Sequence, residues 1–93
     1  MIEIISLEYP LKLRGQVAGH DFVLFAKMGY WCFYIEDHAF SAGDDHLFAL
    51  VGKFPFAEQM PQPLALRIAK ACAEHFQRRL RDEETFLQNT SRQ

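Results

Sequence analysis

A chain of 93 residues, nearly half of them apolar and 14% aromatic, holds material for one hydrophobic core, which excludes wholesale disorder and leaves little room for a second domain. The net charge of −2 is unevenly spread: residues 1–61 carry four basic against eight acidic side chains, and residues 62–93 six basic against four acidic. The longest apolar runs, Phe22 to Ala26 and Tyr30 to Ile35, fall far short of the roughly 20 residues a bilayer span needs.

Met1 to Tyr9 is rich in Ile and reads as a strand closed by Pro10, which cannot donate to a ladder. Its early Glu3, and the absence of a basic segment followed by a small-residue cleavage site, point to a cytoplasmic protein. Lys12 to Val17 alternates loosely around Gly15 and reads as a short edge strand or a run into the next element, with Ala18-Gly19-His20-Asp21 as a turn. The strongest local signal follows. Phe22 to Lys27 and Tyr30 to Ile35 are two β-prone runs around Met28-Gly29, the pattern of a hairpin, although Met at the first central position invites a slip into a longer loop. With a two-residue turn, Phe22, Leu24 and Ala26 share a core face with Ile35, Phe33 and Trp31. The opposite face then carries Val23, Phe25, Lys27, Tyr30, Cys32 and Tyr34, far more apolar than a solvated face requires.

Glu36 to His46 is polar and reads as a loop. Leu47 to Lys53 is a strand, with helix as the competing reading, and Phe54-Pro55-Phe56 with Pro61 and Pro63 marks a connection. From Pro63 the period changes: Leu64, Ile68, Cys72, Phe76 and Leu80 recur every four residues with alanines beside them, an amphipathic helix. The expected architecture is α+β, a small antiparallel sheet of three to four strands with a central hairpin at 22–35, packed on one C-terminal helix. Residues 1–88 form the single domain and 89–93 a frayed tail.

Motifs that carry chemistry are sparse. Glu36-Asp37-His38 and Asp44-Asp45-His46 offer mixed oxygen and nitrogen groups, but their spacing matches no calcium loop or zinc motif, so they read as a solvated acidic segment suited to a basic partner surface. No metal site, catalytic set or cofactor is assigned. His20-Asp21 lacks a nucleophile, and Cys32 and Cys72, placed on core stripes, lack the electropositive access a reactive thiolate needs, so His75 is simply a flank residue of the helix. A disulfide between the two cysteines is not expected in a reducing compartment. The run Tyr30-Trp31-Cys32-Phe33-Tyr34 lacks the small residues and basic neighbours of a base-stacking sheet. Arg67, Lys70, Arg78 and Arg81 form the nucleic-acid-binding alternative on the helix. The glycines make no phosphate loop.

One helix covers one face of a sheet, so the second hairpin face needs a cover: the Phe54-Pro55-Phe56 segment, a second copy in a homodimer, or another protein. The expected function is a non-enzymatic protein-interaction module, with Phe25, Tyr30, Tyr34, Glu36, Asp37, Asp44 and Asp45 as the partner-binding set. Its partner would be a protein or complex with a basic surface. By class-level analogy of size and chemistry, such a chain suits an inhibitor that blocks a nucleic-acid-binding surface, as phage anti-defence and anti-CRISPR proteins do. Direct nucleic-acid binding, or metal chemistry in the acidic His-containing loop, is the alternative.

Overall fold

The computed structural model describes residues 2–39 and 47–91, with side chains described for 2–36 and 49–82. Five strands, β1 (Ile2–Glu8), β2 (Lys12–Val17), β3 (His20–Lys27), β4 (Tyr30–Ala39) and β5 (Leu47–Lys53), precede a 3-10 turn at Ala57–Gln59 and one long helix, α1 (Gln62–Ser91). The strands pair in sequence order as an antiparallel meander. The α+β architecture therefore stands, with five strands rather than three to four. No helix among the described residues is long and apolar enough to cross a membrane.

The 22–35 hairpin has the register of a two-residue turn: Lys27 pairs with Tyr30 and Phe22 with Ile35. Met28 at φ 54° and Gly29 at φ 77° supply the two positive φ values of a type I′ turn, whose twist matches that of the flanking strands. The register does not slip. Met28 accepts a left-handed backbone that costs a side-chain-bearing residue about 1 kcal/mol. Ala18 at φ 52° and Gly19 at φ 80° repeat this geometry between β2 and β3. The turn between β2 and β3 is thus two residues long, and His20 and Asp21 already belong to β3.

The segment 12–17 is not an edge: β2 pairs with β1 on one side and β3 on the other. Its alternation looked weak because Gly15 contributes no side chain. The cross-strand neighbour Phe22 fills that space, so closely that a Cβ at Gly15 would collide with the ring and with the Glu3 carbonyl. Gly52 and its partner Trp31 repeat the arrangement between β5 and β4. An aromatic laid over a cross-strand glycine restores the contact that the glycine lacks.

The register of β1 shifts between Ile4 and Ser6. This bulge lets Ile2, Ile4 and Leu7 all pack against the core, which strict alternation forbids. The extra residue, Ile5, is left 58% exposed.

The core lies between the sheet and α1. Leu13, Val17, Phe22, Leu24, Phe33 and Ile35 meet Ala65, Ala69, Cys72, Ala73 and Phe76, and the alanines let the helix approach closely. The expected every-four stripe is displaced from this centre, since four residues turn a helix by about 400° and a strict repeat drifts roughly 40° per step. It starts on one half-buried flank at Leu64 and Ile68 and enters the buried arc at Cys72 and Phe76, while Leu80, still within that arc by angle, is half-buried.

The connection between β5 and α1 closes one end of the same core. Ala57 and Met60 are buried, Leu11 N donates to Glu58 O at 3.0 Å, and the Tyr9 hydroxyl donates to Met60 O at 2.6 Å. Phe54, whose N–H donates to Gly29 O at 3.0 Å, packs against this core. Of the Phe54-Pro55-Phe56 segment only Phe54 packs on the helix side and Phe56 is 80% exposed, so the segment is not the cover of the opposite face.

Candidate interaction face

Strand order and register place a defined set of side chains on the sheet face away from α1. Across β2 to β5, Arg14, Val23, Tyr34 and Ala49 form one row, and Lys12, Phe25, Cys32 and Val51 the next. Beyond the second row lie Lys27, Tyr30 and Lys53, toward the Met28-Gly29 turn. Beyond the first lie Gln16, Asp21 and, on β1, Glu3, with Glu36 following Ile35 on β4.

The middle of this face is apolar. Val23 is 1% exposed yet stands outside the helix-side core cluster, so its burial comes from neighbours on the open face. Phe25, Cys32 and Tyr34 around it are half-buried, and the Phe25 and Tyr34 rings meet edge to face at 6.0 Å. Toward the sheet edges the protection fails: Val51 is 65% exposed and Tyr30 46%. Ile5 lines a cleft of about 180 Å3 with Arg14, Gly15, Asp21, Phe22 and Glu36.

Charge divides the face along the strand direction. One end carries Lys12, Lys27 and Lys53, with the Lys53 ammonium 5.9 Å from the Tyr30 ring centre, a cation–π distance. The other end carries Glu3, Asp21 and Glu36, all exposed, where Gln16 Nε2 donates to Asp21 Oδ1 at 2.9 Å. Glu8 beside Lys12 and Arg14 beside Val23 depart from this division.

Phe25, Tyr30 and Tyr34 share one surface as the sequence suggested, and Glu36, expected in a separate acidic loop, joins them on β4. Glu36, Asp37 and His38 are not loop residues, because β4 continues to Ala39. The Asp37 and His38 side chains, with Asp44, Asp45 and His46, lie outside the described residues. Among the described residues no three His, Cys, Asp or Glu side chains gather at metal-binding distance.

Sequence reasoning missed Ile5, Lys12, Arg14, Val51 and Lys53. Alternation within Leu47 to Lys53 put Ala49, Val51 and Lys53 on one side, but nothing local said that β5 lies beside β4. The exposed bulge of β1 had no local sign either.

Cys32 belongs to the open face and not to a core stripe, since it pairs with Phe25 and Val51. Cys72 is buried under the helix. The two thiols are free, separated by the sheet, and both are pushed up by burial, Cys72 to about 11. Neither offers a thiolate at neutral pH. His20 and Asp21, as neighbours on a strand, point to opposite faces: the imidazole meets Phe76 edge-on at 5.4 Å while Asp21 accepts from Gln16. They form no proton-transfer pair.

On α1, Arg67, Lys70, Arg78 and Arg81 are exposed and fall within a roughly 80° arc at about 100° per residue, on the side away from the sheet. Glu74, also exposed, lies within that arc. Comparison with protein families, with curated proteins and with solved structures finds no match to this chain, so what the face does must be argued from its own chemistry.

Proposed function

We propose that this chain is a non-enzymatic protein-interaction module that docks a protein surface through the open face of its sheet. The observation that carries the reading is the apolar centre around Val23, Phe25, Cys32 and Tyr34, extended by exposed Val51 and Ile5 and bordered by charge. Apolar surface with a charged rim is the anatomy of an interface, where the centre supplies the hydrophobic gain and the rim supplies orientation. The acidic end, Glu3, Asp21 and Glu36, favours a partner region that presents lysine or arginine. An inhibitor occupying a basic, nucleic-acid-binding surface of a larger complex, of the phage anti-defence kind, is the most specific form of this reading.

The second reading, nucleic-acid binding through Arg67, Lys70, Arg78 and Arg81, draws support from their common exposed arc. Glu74 within that arc weakens it, because a carboxylate repels phosphate at the same contact.

The test compares wild-type chain with Val51→Asp and with the helix variant R67E/R78E as tagged baits under nuclease treatment. Loss of about tenfold or more of a stoichiometric protein partner with Val51→Asp, and retention with the helix variant, is expected from a desolvated anchor at an interface. Retention by Val51→Asp and loss by the helix variant overturns the open-face reading.

A further inference from the structure

We infer that the open face pairs with the same face of a second copy of this chain, the two sheets stacked about a two-fold axis that runs across the strands. The inference rests on the proposed function above and names the occupant of that face.

The argument comes from charge order. Two sheets stacked face to face by a two-fold operation have their axis in the plane between them. An axis along the strands sets lysine end on lysine end and acidic end on acidic end. An axis across the strands reverses one sheet relative to the other while keeping β3 over β3 and β4 over β4. With that axis between the Val23–Tyr34 row and the Phe25–Cys32 row, those two apolar rows lie on each other. Lys27 of one copy then faces Asp21 of the other, both exposed ends of β3, and the reciprocal contact forms by symmetry. Glu36 falls beside Tyr30 and Lys53 of the second copy, and Arg14 falls over its Lys12, a like-charge contact that Glu8 beside Lys12 offsets. The acidic end thus finds its basic complement on the chain itself.

The size of the face sets the strength. Five strands at about 4.8 Å and about seven residues at about 3.3 Å give roughly 24 Å by 23 Å, on the order of 550 Å2 in projection per copy. Two copies would bury roughly 1,100 Å2, the lower edge of specific interfaces, which suits a reversible pair with a dissociation constant of about 1–100 μM.

Sedimentation equilibrium of the full chain from low micromolar to about 1 mM is expected to show mass rising from the 10.8 kDa of one copy toward twice that value. Asp21→Lys and Lys27→Glu each set like charges against each other and are expected to weaken pairing about tenfold, while the double variant D21K/K27E restores it. Far-UV circular dichroism confirms that each exposed variant is folded. Failure of the double variant to restore pairing, or singles that pair as tightly as wild type, overturns the stacking. A wild-type chain that stays at single mass up to about 1 mM overturns the pair altogether. In that case Val51→Asp in the bait experiment still decides whether the face docks another protein, so the two readings fail separately.

Discussion

Gly15→Ala is expected to destabilise the protein, against the usual sign for that substitution in a strand. Alanine in a strand interior normally gains about 0.5–1 kcal/mol over glycine through backbone entropy. At Gly15 the added Cβ meets the Glu3 carbonyl of β1 and the Phe22 ring. The carbonyl sits in the β1–β2 ladder beside the Ile4–Gly15 pair, and Phe22 is 1% exposed, so neither neighbour has open space to move into. Overpacking of this kind costs about 2–3 kcal/mol, leaving a net loss of about 1–2.5 kcal/mol. In urea that lowers the midpoint by roughly 1–2 M, and in a thermal scan it lowers Tm by roughly 5–15 °C. Gly52→Ala is the internal control. Its nearest obstacles all belong to the half-buried Trp31 indole, which can swing aside, so the cost is below about 1 kcal/mol and the emission of the single Trp changes. A Gly15→Ala protein as stable as wild type, with an unchanged denaturant slope, refutes the packing of Phe22 over β2.

Met28→Asn should raise stability by about 0.5–1 kcal/mol, read as a higher urea midpoint, because Asn-Gly suits a type I′ turn and Met at φ 54° does not. A lower midpoint would show that Met28 makes a contact that outweighs its backbone strain. The buried Cys72 thiol, pushed up to about 11 from its ordinary 9.0, should react with a maleimide at pH 8 about 100-fold more slowly than in the unfolded chain, and more slowly than Cys32. Equal rates for the two thiols would contradict their placement on opposite faces. The unfolded chain loses the Cys72 proton first, so stability is full below about pH 9 and declines as pH rises toward 11, a decline that Cys72→Ala should reduce, leaving the part due to Cys32.

Local patterning alone determined the first strand and the central hairpin with the way it faces. Alternation in Phe22 to Lys27 and Tyr30 to Ile35, with glycine at the turn, specifies which residues point to the core, because a strand's side-chain period of two leaves no other choice once the turn is two residues long. The apolar second face of that hairpin was legible for the same reason. So was the helix, whose alanines and large apolar residues repeat near its own period. Tertiary structure alone decided that β2 is an inner strand, since the partner filling the gap at Gly15 comes from β3. It also decided that a bulge turns Ile5 outward and that β5 lies beside β4, adding Val51 and Lys53 to the face. These depend on which strands meet, and pairing between strands is set by packing across the whole sheet, of which a short stretch of chain carries no record. The division of the face into a lysine end and an acidic end belongs to this second class: its charges come from five strands and become a pattern only when the meander aligns them.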